Sequence, residues 1–132
     1  MDTEGENVIL KQEIENVLQI DKSKQYEYFL KKVADFEEVW SLKDDKGWVT
    51  LGIGGDIFFP IWPKKEFADI CISDEWNNCY PESIELEEFL EYWIGGLKED
   101  NIRITIMWNN GNGIDVAWDV LREDIRQELE KY

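Results

Sequence analysis

The residues in this sequence that could carry chemistry are mostly carboxylates, and they are densest around position 87. Glu82, Glu85, Glu87, Glu88 and Glu91 lie close together in the chain, and paired carboxylates can act as general acid and base or hold a hard cation. Three of them, Glu87, Glu88 and Glu91, have the spacing of one helical face, which is typical of a solvated surface. The cluster therefore predicts an acidic surface more strongly than a catalytic centre.

Other groups that catalyse reactions or bind metals are scarce. The sequence has no histidine, the commonest metal ligand and the commonest general base. Its two cysteines, Cys71 and Cys79, lie outside any C-x-x-C pattern, so neither their count nor their spacing supports a zinc site. The glycines of residues 52–55 lack the Lys-Ser/Thr of a phosphate-binding loop and indicate a hairpin turn. We therefore predict no catalytic residue, no metal site and no cofactor, and an enzyme is the least expected class of function.

The acidic balance of the chain limits the partners that it can bind. The sequence carries 30 acidic and 14 basic residues, which gives a formal net charge of −16 over 132 residues. Such a field repels phosphate backbones, so we expect no binding to nucleic acid or membrane, whereas a basic protein partner would be attracted. Acidity also serves solubility alone, and this interpretation stays open.

The composition is that of a folded domain in a reducing compartment. Hydrophobic residues make up 43% of the chain and seven are tryptophan, which is far from the signature of disorder. Residues 1–6 are acidic where a signal peptide is basic and then apolar. No apolar run approaches the roughly 18 residues of a membrane span. We therefore expect a cytoplasmic protein.

Hydrophobic periodicity predicts an α+β fold. Helical spacing places helices at about 7–19, 23–35, 64–72, 86–97 and 119–131. Alternation and turn residues place strands at about 38–42, 48–53, 56–62, 102–108 and 114–118. Because these elements are interleaved without a regular βαβ repeat, we predict a layer sandwich with a mainly antiparallel sheet of about five strands. In this prediction residues 1–20 form an N-terminal helical extension and residues 21–132 form a single domain.

For a few residues in these segments, the residue type predicts the position within a strand, a helix or a turn. Pro60 has no N–H for a ladder hydrogen bond, so we expect it at a sheet edge or a bulge. Pro63 suits the first turn of the helix that follows it. Asp119 can cap the last helix, and Asn110-Gly111 between two strands predicts a tight hairpin turn.

The polar segment before the acidic cluster contains two large aromatic side chains, Trp76 and Tyr80. Such loops often hold binding residues, because they lie at the surface. The alternative is that both rings fold back and seal the edge of the core, since aromatic rings supply large buried area.

Several motifs occur in an order that is shared with a known family. They are Tyr26-Glu27-Tyr28-Phe29-Leu30-Lys31-Lys32-Val33-Ala34-Asp35, Glu38-Val39-Trp40, Phe59-Pro60-Ile61-Trp62-Pro63 with Phe67-Ala68, and Leu86-Glu87-Glu88-Phe89 with Trp93 and Leu97. Together they resemble the bacterial family called domain of unknown function 2750, over roughly residues 21–132. The resemblance implies a bacterial origin and a cytoplasmic location. The family has no assigned catalytic residues, so the resemblance transfers no site.

These observations favour a small protein-binding module that is either regulatory or similar in size and charge to toxin-neutralising immunity proteins. The predicted partner surface combines an acidic helix face with the two loop aromatics, namely Trp76, Tyr80, Glu87, Glu88 and Glu91. The alternative is a small-ligand sensor with an apolar pocket walled by Trp40, Trp62 and Trp93, although core packing explains the same tryptophans. The oligomeric state is left open.

Overall fold

The protein is described by a computed structural model that covers residues 3–72 and 76–132, with side chains described from residue 11 onward. Within these ranges the chain forms five helices and seven strands, which confirms the α+β class. The helices are α1 (Thr3–Gln19), α2 (Lys22–Phe36), α3 (Lys65–Cys71), α4 (residues 86–99) and α5 (Trp118–Leu129). The strands are β1 (Glu38–Asp44), β2 (Gly47–Trp48), β3 (Leu51–Ile53), β4 (Asp56–Ile61), β5 (Tyr80–Glu85), β6 (Ile102–Asn109) and β7 (Asn112–Val116).

The strands form two sheets, which corrects the prediction of one sheet of about five strands. One sheet has the order β2-β1-β5 and the other has the order β3-β4-β6-β7. The predicted strand at 48–53 is in fact two short strands, because Trp48 pairs with β1 while Leu51 pairs with β4. The four-stranded sheet is mixed, since β4 and β6 run parallel, with Ile57 beside Ile102. The other pairings are antiparallel, as predicted.

Residues 80–85 form a strand that was not predicted, because the polar segment was expected to extend to Pro81 and residues 82–85 were assigned to no element. β5 pairs antiparallel with β1 over its whole length, from Lys43–Tyr80 to Glu38–Glu85. The sequence of β5 does not show the alternation of apolar and polar residues that marks a strand, because it contains Pro81 and three polar side chains. β5 lies at the edge of its sheet, where proline and charged residues are tolerated and discourage further pairing.

The two sheets meet at the end of β4. The amide of Trp40 on β1 donates to the carbonyl of Trp62 (2.9 Å), and the amide of Trp62 donates to the carbonyl of Trp40 (2.8 Å). Pro60 therefore lies in an inner strand, which differs from the predicted edge or bulge. Its missing N–H costs no ladder bond, because β3 pairs with β4 only as far as Phe58. The Ser41 hydroxyl donates to the Pro60 carbonyl instead (2.6 Å).

The helices cover these sheets and supply much of the core. α2 packs against α5 and β6, α3 against β1 and β5, and the C-terminal part of α4 against β6 and α5. The side chain of Asp21 caps α2 by accepting from the Lys24 amide (2.9 Å). α3 begins after Lys64, so Pro63 lies just before the helix and not in its first turn. Ala117 occupies the N-cap position of α5, so Asp119 lies within the first turn.

The second half of α1 belongs to the hydrophobic core. Ile14 and Val17 are 1% and 6% exposed and contact the main cluster of buried residues. Glu13 lies close to two lysines, Lys32 (3.9 Å) and Lys64 (3.8 Å). The boundary at residue 20 remains a prediction, but this helix buries side chains against the rest of the fold. In the described ranges we find no helix whose length and apolar character would allow it to cross a membrane.

Candidate functional site

The structure places the five predicted contact residues in three different environments. Glu87, Glu88 and Glu91 are exposed on α4, as their helical spacing predicted. Tyr80 is 49% exposed at the start of β5, whereas Trp76 is only 8% exposed and belongs to the core cluster. Trp76 therefore offers little surface to a partner.

Tyr80 and the α4 glutamates are not brought together. β5 separates them, because Tyr80 begins this strand and Glu85 ends it immediately before α4. An extended strand rises by about 3.3 Å per residue, so Tyr80 lies about 17 Å from the start of the helix. The predicted combination of residues is thus split, and the carboxylates of α4 have other neighbours.

Glu87 differs from the other two glutamates because it already has a partner. Its carboxylate lies 2.8 Å from the Arg126 guanidinium on α5, which forms a partly exposed ion pair between the two helices. No ion pair among the described residues involves Glu88 or Glu91. These two carboxylates therefore keep their full negative field for a charged partner.

Tyr92 is the exposed aromatic side chain that the sequence analysis missed. It is 70% exposed, follows Glu91 directly and lies about one turn after Glu88. A groove of about 310 Å³ runs beside it, lined also by Trp93, Gly96, Leu97 and Asp100. Its position outside the apolar stripe of the helix was a visible signal, because an aromatic residue on a polar helical face has no core to fill.

The wall of this groove is held firmly. Trp93 packs edge-on against Trp48 of β2 with ring centroids 5.0 Å apart, and its ring lies 5.4 Å from that of Phe59. Phe59 is 1% exposed, so the cluster joins the groove to the core. Aromatic pairs at such separations contribute roughly 0.5–1.5 kcal/mol beyond the area that they bury. The groove is therefore a preformed feature of the fold.

α4 contains a π-helical segment, Phe89–Trp93, between α-helical segments Leu86–Glu88 and Ile94–Glu99. Arg122 of α5 donates from Nε to the carbonyl of Leu90 within this segment (3.2 Å). A π turn is rare and often lies at a functional site. Tyr92 and Trp93 both belong to it, so the unusual backbone and the exposed aromatic groove coincide.

The three tryptophans of the sensor hypothesis do not surround a common cavity. Trp62 is fully buried and donates from Nε1 to the Trp108 carbonyl (3.1 Å). Trp40 lines a cavity of about 300 Å³ with Phe36 and Lys64, while Trp93 lines the α4 groove. The three tryptophans therefore do not form the expected apolar pocket. Trp62 packs in the core, whereas Trp40 and Trp93 line two separate surface cavities.

The two thiols lie in environments that favour their protonated form. Burial raises the pKa of the Cys71 thiol to about 12, and Cys71 is 5% exposed. The pKa of Cys79 is also raised, by burial and then by the charge of Asp44. Neither thiol is activated as a nucleophile. In the described ranges, no group of three or more acidic or cysteine side chains has the arrangement of a metal site.

We call Glu88, Glu91, Tyr92 and Asp100 the α4 surface, which combines three carboxylates with an aromatic ring beside a groove. The α4 surface can recognise a partner whose own surface is cationic and partly apolar.

Comparison with known proteins gives a family-model match over residues 26–125, and that family is described as "Protein of unknown function (DUF2750)". No curated protein matches the chain.

Proposed function

Starting from the fact that this chain belongs to the DUF2750 family of proteins of unknown function, we propose that it is a protein-binding module for a basic partner. The partner contacts the α4 surface, either in a regulatory complex or in an immunity-like neutralising complex. The proposal includes a cytoplasmic location in a bacterium and the absence of catalytic activity. Sequence resemblance supports the bacterial origin, and the net charge of −16 supports the basic partner.

The observation that carries the proposal is the exposure of Tyr92. A tyrosine that is 70% exposed beside a rigid groove is the kind of residue that dominates binding energy at protein interfaces. Leaving such a ring in water gains nothing for folding, whereas its insertion between partner side chains buries large apolar area with little loss of side-chain entropy. Tyr92 is therefore the anchor of the proposed interface.

The carboxylates set the negative charge of the interface and its rate of association. Asp100 lines the groove, and the exposed Glu88 and Glu91 precede Tyr92 on the same helix, so all three place negative charge near the point where a lysine or arginine of the partner would arrive. Charges at the rim of an interface act mainly on the association rate and on the salt dependence. The buried anchor acts mainly on the dissociation rate. These two contributions can be separated by substitution.

The test compares four forms of the tagged chain as bait in a lysate of the source cells. These are the natural chain, Tyr92→Ala, the double variant Glu88→Lys/Glu91→Lys, and the control Glu15→Lys/Glu27→Lys. The control makes the same change in net charge at exposed positions of α1 and α2. We expect the natural chain and the control to retain the same basic protein. The interaction is then measured with the purified partner.

Each variant has its own expected effect on that interaction. Removal of an interface anchor typically costs about 2 kcal/mol or more, so Tyr92→Ala should weaken the affinity by about 30-fold. The charge-reversed α4 variant should associate more slowly and lose its salt dependence. Equal retention of the partner by all four forms, or loss in the control as well, would contradict the proposal.

A further inference from the structure

Another cavity lies between the corner that joins α1 to α2 and the β6–β7 hairpin. Its volume is about 500 Å³, within the range of about 300–1,000 Å³ of small-molecule sites. One wall consists of Leu18, Ile20, Asp21, Lys22 and Gln25, and the other consists of Met107, Asn109, Asn110, Asn112 and Gly113.

The backbone of the hairpin wall is strained. Met107 has a φ of 59°, in the left-handed region that side chains other than glycine rarely adopt, and it is 2% exposed. The strand register shifts between Ile106 and Asn109, so a β-bulge lies at this point. Bulges are over-represented next to binding sites, where they redirect side chains. Strained residues of this kind persist only where the surrounding structure holds them, and they cluster at ligand sites.

The two walls are fixed relative to each other. Lys22 donates from Nζ to the Gly113 carbonyl (3.1 Å), which ties α2 to the hairpin. Within the hairpin wall, Gly113 packs directly against Thr105, because a Cβ at position 113 would collide with the Thr105 hydroxyl. The cavity therefore exists before any ligand arrives, as small-molecule sites usually do.

The polar groups that face this space are mainly carboxamides. Among the described residues, no side-chain hydrogen bond uses the amides of Asn109, Asn110 or Asn112. Gln25 donates from Nε2 to the carbonyls of Val17 and Ile20, which leaves its oxygen as an acceptor. Each free carboxamide offers two donor hydrogens and one acceptor oxygen in a plane.

The charged side chains of the cavity lining balance each other. Lys22, whose ammonium donates to Gly113, and Asp21, one oxygen of which accepts from the Lys24 amide, have opposite charges, and the other lining residues are uncharged. The field of a chain with net charge −16 also disfavours anions. The lining therefore favours an uncharged ligand. Such a ligand must pair donors and acceptors with carboxamides while its apolar face covers Leu18 and Ile20.

We propose that the cavity between the α1–α2 corner and the β6–β7 hairpin binds a neutral, polyhydroxylated small molecule of the sugar class. Neighbouring hydroxyl groups each donate and accept, so they match the paired donor and acceptor of an asparagine side chain. The C–H face of a sugar ring supplies the apolar contact. This site is independent of the α4 surface, and either proposal can fail without the other.

The test follows the side-chain NH₂ signals of asparagine and glutamine by NMR while sugars are added to the full chain. The probes are glucose, galactose, N-acetylglucosamine, maltose and trehalose, each titrated to millimolar concentration. We expect at least one sugar to shift the signals of Asn109 and Asn112 in a saturable way, while the signal of Gln127 stays unchanged. Gln127 is an exposed amide on α5 that pairs with Glu123 and serves as the internal control.

Two variants separate binding from folding. Asn109→Ala/Asn112→Ala removes two carboxamides and should reduce the affinity at least tenfold, whereas Gln127→Ala should leave it unchanged. The melting temperature of each variant shows whether it is folded. The proposal is overturned if none of the five sugars produces saturable shifts at Asn109 and Asn112, or if folded Asn109→Ala/Asn112→Ala binds as tightly as the natural chain.

Discussion

Single atoms decide how closely the β6–β7 hairpin can pack. Gly113 has no Cβ, and the space where one would lie is filled by Thr105 Oγ1 and, at 3.1 Å, by Trp108 Cε3. Thr105 is 3% exposed, so its side chain has little room to move away. The glycine is therefore needed for the space that it leaves and not for an unusual φ.

Gly113→Ala should destabilise the fold. Thr105 and Trp108 must both move away from the added methyl group. Overpacking of this kind typically lowers the free energy of unfolding by about 1–3 kcal/mol. Thr105→Ala removes the nearest obstacle, so the double variant should recover part of that loss. Denaturant unfolding of the two single variants and the double variant measures the coupling. Strictly additive effects would show that the two side chains do not compete for this space.

The burial of Cys71 predicts a loss of stability at alkaline pH. Burial raises the pKa of its thiol from 9.0 to about 12, so the folded state keeps a proton that the unfolded state releases. The stabilisation is complete below pH 9.0 and is lost as the pH rises towards 12. The free energy of unfolding should fall there by up to about 1.4 kcal/mol per pH unit for this group.

The measurement is urea unfolding between pH 8 and pH 10, before most tyrosines ionise. Cys71→Ala should flatten the decline above pH 9, whereas Cys79→Ala, at a half-buried position, should change the slope less. Burial also raises the pKa of Tyr26, helped by its hydrogen bond to Asp124 (2.6 Å), so a further decline should follow above pH 10. An unchanged slope in Cys71→Ala would contradict this assignment.

At the level of individual residues, the sequence predicted what depends on near neighbours in the chain. The exposure of Glu87, Glu88 and Glu91 follows from helical spacing alone, and the turn at Asn110-Gly111 follows from the positive φ that both residues adopt. The burial of Trp76 depends on packing against distant segments, which local spacing does not encode. The exposure of Tyr92 follows from the same helical spacing, because Tyr92 lies outside the apolar stripe of α4.

The helices were predicted within about two residues at each end, with the exception of the start of α1. The observed bounds are Lys22–Phe36 for the helix predicted at 23–35 and Trp118–Leu129 for the one at 119–131. A helix satisfies its hydrogen bonds within itself, so its apolar stripe is enough to locate it. The π turn inside α4 was not predicted, because the same stripe fits a regular helix. Its carbonyl at Leu90 is bonded by Arg122 from another helix.

Strands were harder to predict, because they find their partners elsewhere in the chain. Nothing local distinguishes the parallel partner of β4 from an antiparallel one, and the split between β2 and β3 appears only when both sheets are present. β5 was missed for the same reason, since its glutamates are compatible with an edge strand but do not indicate one.

α1 should contribute strongly to stability even though it was predicted to be an extension. Ile14 is 1% exposed within the core cluster, and Ile→Ala substitutions in cores typically cost about 2–5 kcal/mol. Ile20, just past the end of the helix, is 39% exposed and provides the control. Denaturant unfolding should show a large loss for Ile14→Ala and a small one for Ile20→Ala. Similar small losses would show that α1 is dispensable.

For the molecule as a whole, charge opposes folding while the packed core favours it. The chain carries 30 acidic and 14 basic residues, and the ion pairs of the described residues lie mainly at partly exposed positions, for example Lys98 with Asp119 (2.8 Å) and Arg103 with Asp115 (2.6 Å). Exposed pairs contribute little, typically about 0–1 kcal/mol each. The excess negative charge therefore remains as net repulsion in the compact state.

Added salt should consequently stabilise the protein. Screening shortens the range of repulsion from about 30 Å at 0.01 M to about 8 Å at 0.15 M ionic strength. The melting temperature should rise between these two conditions, by a few degrees for each kcal/mol of repulsion that is removed. Sodium chloride and potassium chloride should act alike, because screening does not depend on the ion. A melting temperature that falls with salt would mean that favourable ion pairs dominate.

The connection between β4 and β6 has a consequence for the folding pathway. These two parallel strands form the centre of one sheet, but the chain between them contributes β5 to the other sheet before it returns. Neither sheet consists of one continuous stretch of sequence, so neither can be excised as an autonomous fragment. Contacts between residues distant in sequence slow folding, because a long loop must close before they form. We expect a slow, all-or-none transition in which both sheets appear together.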